Sequence, residues 1–125
     1  MILNLTQHAA TEDQVAAGVR DLTGEAKATL VDLLTCPEIP SREEIEARCA
    51  DIAMLAVLEY EEHPAQAMIG GAPWMMRALE DALIMQGVEP VYAFSVRESI
   101  DRRQPDGSVR KEAVFRHAGW IPARK

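Results

Sequence analysis

The stretch Gly70-Gly71-Ala72-Pro73, inside AMIGGAPWMM, combines features that a bound anion needs. A glycine pair lets a phosphate or carboxylate approach the backbone closely. Pro73 suits the first position of a helix, where the first-turn amides and the helix dipole favour negative charge. Thr11, Thr23 and Ser41 stand where three other helices should begin, each with an oxygen to offer the first-turn amides, whereas Ala72 has none. GGAP is neither a Walker loop nor a dinucleotide fingerprint, so the pattern predicts a pocket without specifying a ligand. The alternative is a tight turn whose glycines serve backbone angles alone.

Two further groups belong to the same reading. Thr6, Gln7 and His8 place a hydroxyl, an amide and an imidazole on adjacent residues after a short apolar run. Ser95, Arg97 and Ser99 alternate, so an extended chain puts them on one face, and the Arg97 fork can bind two oxygens. The expected ligand-binding set is therefore Thr6, Gln7, His8, Gly70, Gly71, Ser95 and Arg97. His117 could join His8 as an acid–base pair for phosphodiester cleavage. Among recognised catalytic patterns, no nucleophile elbow, HExxH or EF-hand loop occurs. Cys36 and Cys49 form no CxxC and have no histidine at ligand spacing, so no metal or cofactor is expected and both cysteines read as buried thiols. A binding protein is favoured over an enzyme.

These groups need a frame that brings strand ends together. ILNL reads as a first strand, and Thr11 with Gln14 as a capping box opening a helix with Val15, Ala16, Val19 and Leu22 on one face. Thr23 caps a second helix to about Leu34, with Ala26, Leu30, Leu33 and Leu34 inward. Ser41 with Glu44 opens a long third helix to about Glu62, burying Ile45, Cys49, Ile52, Ala53 and Ala56, and His63 and Pro64 stop it. QAMIG is a second strand. Pro73 to Gln86 forms a helix ended by Gly87, with Trp74, Met75 and Met76 as core or a dimer face. EPVYAFSV is a third, doubly covered strand. Pro105, Asp106 and Gly107 turn a hairpin between SVRESIDRR and SVRKEAVFRH, anchored by buried Val114 and Phe115, with Glu98 pairing to Lys111 or Arg110. The fold class is α/β. A single small Rossmann-like domain over residues 1–125 is expected, with three mostly parallel strands, an antiparallel C-terminal hairpin strand and helices on both faces. The long helical insert before the second strand argues against a ferredoxin-like sandwich.

Composition agrees with one globular domain: 125 residues, 48% hydrophobic and 26% charged. MILNLTQH lacks the basic and apolar regions of a signal peptide, and no apolar run is long enough to span a bilayer, so a cytoplasmic location without a membrane is expected. The net charge of −7 argues against double-stranded nucleic acid as a partner. Charge is uneven. Residues 1–96 carry 5 basic and 16 acidic side chains (−11), and residues 97–125 carry 8 and 4 (+4). Such asymmetry suits a local anion site or a homodimer that pairs acidic body with basic hairpin.

TQH after a strand, IGGAPWMM and YAFSVRES together resemble short uncharacterised proteins carried by phages and by mobile elements such as integron cassettes. That resemblance covers most of the chain and implies no known activity. At the level of architecture the chain is also similar to small Rossmann-like CRISPR-associated proteins of the CARF type. This likeness implies cyclic oligoadenylate binding at Thr6–His8, Gly70–Pro73 and Ser95–Ser99. The expected function is binding of a small anionic ligand, a nucleotide among the candidates, at the carboxyl edge of the sheet. The rivals are a ligand-free homo-oligomeric interaction protein, joined through Trp74 and Met75 or the hairpin, and a small nuclease using His8 and His117.

Overall fold

A computed structural model describes residues 1–58 and 62–124. Its elements run β1 (Ile2–Asn4), α1 (Glu12–Ala16), β2 (Val19–Asp21), α2 (Gly24–Leu34), α3 (Arg42–Leu58), β3 (Gln66–Met68), α4 (Pro73–Met85), β4 (Glu89–Arg103) and β5 (Val109–Pro122). The five strands form one sheet in the order β2-β1-β3-β4-β5. β2, β1, β3 and β4 are parallel, and β5 runs antiparallel to β4. The fold is thus α/β and Rossmann-like, with one more parallel strand than expected.

That extra strand corrects the first-helix reading. Val15, Val19 and Leu22 have helical spacing, yet α1 stops at Ala16 and buries none of its residues. Gly18 takes a φ of 101°, which only glycine adopts readily, and turns the chain into β2. Val19 and Leu22 are then buried from a strand and its exit rather than from a helix. A glycine directly before a β-branched residue was the signal for the break.

Chain direction explains the layers. β1 to β2 steps one way across the sheet, and β2 to β3 steps back over β1. Right-handed crossovers therefore place α1 on one face and α2, α3 and α4 on the other. The thick face holds the main core, where Leu3 and Leu5 of the β1 segment meet Leu30, Ile52, Met75, Leu79 and Leu83 from α2, α3 and α4. On the thin face Ile2, Val19, Met68 and Val91 are covered by Ala10 and Trp120. The inward faces of α2 and α3 are those the spacing predicts. The predicted end of the third helix, beyond Leu58, falls partly outside the described residues. Met75 and Met76 are core, whereas Trp74 is half-exposed. Among the described residues no helix is long and apolar enough to cross a membrane.

β4 and β5 leave this body as a long two-stranded arm. β3 pairs with β4 only through Val91, while the β4–β5 ladder continues to Arg103 and Val109. A bulge at Phe94/Ser95 marks the base, and Gly107, with a φ of 89°, closes the tip. There Asp106 Oδ1 accepts from Ser108 Oγ at 2.6 Å and from Ser108 N at 2.9 Å, which together hold the Asp106 carboxyl below its ordinary pKa. Val114 is only partly buried and Phe115 is 72% exposed, so the expected buried anchors are not there. A ribbon two strands wide has no second layer to bury them. Glu98 pairs with Arg116 at 3.3 Å rather than with Lys111 or Arg110, because Val96 and Arg116 stand opposite each other one pair away.

Candidate functional site

Asn4 ends β1 as a lone polar residue in an apolar run, and it is completely buried. Both ends of its amide are used. Nδ2 donates to the His8 carbonyl and to Asp21 Oδ1, each at 2.8 Å. Oδ1 accepts from Thr6 N at 2.9 Å and lies 2.7 Å from Thr6 Oγ1. Asp21, opposite Asn4 at the end of β2, also accepts from Ala10 N at 3.1 Å. The loop after β1 is therefore clamped at both ends by one buried amide and one carboxylate, an arrangement rigid because each polar group is satisfied. Lys27 of α2 donates from Nζ to the Thr6 carbonyl at 2.8 Å. The clamp leaves the Gln7 and His8 side chains exposed.

The loop after β3 comes up beside it. A Cβ on Gly70 would lie 3.7 Å from Thr6 Cγ2, so the two loops touch. Of the two glycines, Gly71 has the positive φ, 140°. Ala72 then enters α4 with no side-chain cap and Pro73 in its first turn. Thr11 makes the full capping box with Gln14, and Ser41 Oγ accepts from Glu44 N at 3.1 Å. Thr23, expected to cap α2, makes no such bond, because the chain enters that helix through Gly24 at a φ of 58°. Among the described residues α4 is thus one of two helices without a side-chain cap.

Between these loops lies an open cavity of about 700 Å³. Thr6, Gln7, His8, Gly70 and Gly71 all line it, joined by Thr11, which caps α1, by Gln14 from α1 and by Tyr92 and Ala93 where β4 leaves the sheet. No Asp or Glu is in that lining among the described residues, in a chain that carries 20 of them. A second hollow between α3 and α4, about 640 Å³, is by contrast edged by Arg42, Glu46, Arg77 and Asp81. β1 connects leftward to β2 while its other neighbour β3 leads rightward, so the cavity sits at the point where the strand order reverses, at the carboxyl edge.

Not every predicted residue arrives. Ser95 and Arg97 lie past Ala93 on the exposed arm, because β4 continues straight instead of ending at the sheet edge. His117 is also outside the cavity that His8 lines: its ring packs against Trp120 at a 56° tilt with centroids 4.5 Å apart, and its Nδ1 is buried without a partner among the described residues. Sequence reasoning missed Asn4, Asp21, Lys27 and Tyr92. An asparagine inside ILNL was the available signal, since a polar side chain in a covered strand must serve a neighbour. Tyr92 donates to Glu80 Oε2 at 2.7 Å, and Glu80 with Asp81 also holds Arg124. Burial, reinforced by the Glu80 carboxylate, raises the Tyr92 hydroxyl above its ordinary pKa. Burial likewise raises the Cys49 thiol to about 11, with the neighbouring Cys36 adding to the shift.

Residues 1–121 match the model of the uncharacterized protein MJ1673 family. The chain belongs to that family. The match takes in the sheet up to Ile121 of β5, with both loops of the cavity, in this MJ1673-family chain. No curated protein and no solved structure matches it.

Proposed function

We propose that this MJ1673-family chain binds a small anionic ligand, with nucleotides the first class to test, in the cavity between the β1 and β3 loops. The observation that carries the reading is the convergence of Thr6, Gln7, His8, Gly70 and Gly71 on one carboxylate-free cavity at the strand-order reversal. Hydroxyl, amide and imidazole groups are there to hydrogen-bond oxygens, and the α4 amine end contributes its dipole. The rigid Asn4 clamp supports binding by lowering the ordering cost of the loop.

Thermal unfolding in the presence of phosphate, sulfate, and mono- and cyclic nucleotides tests it. A ligand at about a hundred times its Kd stabilises by about 2.7 kcal/mol, a rise on the order of 10 °C in Tm for a domain of this size. His8→Ala should weaken a hit by about three- to ten-fold, the worth of one hydrogen bond. Arg97→Ala, on the arm, should leave affinity unchanged. If no anion raises the Tm, or if Arg97→Ala weakens binding as much as His8→Ala, the cavity is not the binding site.

A further inference from the structure

Beyond Tyr92, β4 has lost its β3 neighbour, and among the described residues the backbone of residues 94–103 pairs with no strand but β5, its one further bond being from Gln104 Nε2 to the Arg102 carbonyl. The arm thus extends the sheet with an open slot where β3 would have continued. Its outward side chains include Phe94 (49% exposed), Val96 (45%), Val109 (59%) and Phe115 (72%). A two-stranded ribbon is marginal alone in water, and an unprotected edge is a template for another strand.

The edge sequence Phe94-Ser95-Val96-Arg97-Glu98-Ser99-Ile100-Asp101-Arg102-Arg103 can be tested against itself. In a two-fold antiparallel pair centred on Ser99, residue 97 faces residue 101 of the other copy, twice. Arg97 meets Asp101 at both places, Val96 meets Arg102, Glu98 meets Ile100, and no like charges oppose each other. Shifting the sum of paired numbers by one, to 199, sets Arg97 against Arg102 and Glu98 against Asp101, whereas a sum of 197 opposes no like charges but sets Arg97 against Ile100 and Asp101 against Val96, losing both Arg–Asp pairs. Shifting it to 200 sets Arg97 against Arg103. Among the described residues neither Arg97 nor Asp101 makes a side-chain hydrogen bond or ion pair within its own chain, so both are available. The register also fits the slot: Gln104 of the partner subunit falls opposite Phe94, just past the last β3 contact at Val91.

We infer that a second copy of this chain occupies the open β4 edge, forming a four-stranded β5-β4-β4-β5 sheet about a two-fold axis at Ser99. Each tip then reaches the rim of the other subunit's cavity near Ala93. The inference does not depend on any ligand.

Sedimentation against concentration reads the assembly directly. Wild type should be a dimer. Arg97→Asp and Asp101→Arg should each weaken it by roughly ten-fold or more, because cross-strand pairs turn from opposite to like. The double swap Arg97→Asp/Asp101→Arg should restore it. Under mild oxidation Ser99→Cys should give a covalent dimer, since facing residues in such a ladder have Cα atoms about 4.5–5.5 Å apart, within disulfide reach. Ser95→Cys, opposite Arg103 of the partner subunit, should not. A monomer at every concentration, a dimer indifferent to both single swaps, or equal cross-linking from Cys at 95 and 99 would each overturn the inference.

Discussion

The two halves of this sheet differ in their ladders, parallel in the body and antiparallel in the arm, and differ more in what lies above and below them. In the body, β1, β2 and β3 are three residues long, and β1 is buried throughout. In the arm, β4 and β5 span 15 and 14 residues, and most of their side chains face water. Short strands persist where helices cover them, and long ones project where nothing does. Strand length is therefore no measure of local stability here. Burial is, since a covered apolar side chain contributes on the order of 1.5–3 kcal/mol and an exposed one contributes little.

That contrast can be broken at several points. Leu79→Ala in the covered half should lower stability most, by about 3–5 kcal/mol, seen as a shifted urea midpoint with an unchanged slope. Next comes Asn4→Ala, which takes one donor each from Asp21 and the His8 carbonyl and the side-chain acceptor from Thr6 N, at about 2–3 kcal/mol, and it should loosen the cavity loop as read by amide exchange. Gly71→Val should cost about 1–3 kcal/mol, because φ at 140° disfavours a branched side chain even though a Cβ would meet nothing nearer than Met76 Cε at 3.8 Å. Equal tolerance of Val at Gly70 and Gly71 would refute the backbone argument. The alkaline side tests the core more gently. The Cys49 thiol titrates near 9.0 unfolded and about 11 folded, so its contribution is complete below pH 9 and lost as pH rises towards 11. Thiol labelling should accordingly find Cys36 faster than Cys49, which is buried with its Sγ 3.7 Å from the Met75 carbonyl. Phe115→Ala should change the stability of the isolated chain least, by about 0.5 kcal/mol or less.

How much of this was readable in the sequence follows the same division. The helices α2 and α3 announced themselves through periodic apolar faces, whose inward residues were named correctly, and α4 through Pro73 at its start and Gly87 past its end. The Gly70–Pro73 turn was readable because glycine and proline carry backbone information in their own chemistry. β2 was not, since three residues are too few for a periodicity to emerge and Val19 happened to continue the α1 spacing. The arm misled for another reason. Val114 and Phe115 look like core residues in composition, and only the sheet order reveals that no layer exists to cover them. Arg97 was placed at the edge of the sheet by assuming that β4 ends there, an assumption no local pattern tests. The β1 clamp escaped because it depends on Asp21, seventeen residues from Asn4.

The pairing Ile2↔Gln66 joins residues 64 positions apart, whereas Arg103 and Val109 are joined across a five-residue turn. Loop-closure entropy and contact order then give the molecule a timetable. The hairpin can close within microseconds of the chain becoming free, but β1 can find β3 only after the long helical insert has collapsed. The loops that line the cavity should thus be the last region to gain protection during refolding, and pulsed amide labelling would show Thr6 and Gly70 trailing the helices. A binding-competent cavity would then report that the entire body has finished folding.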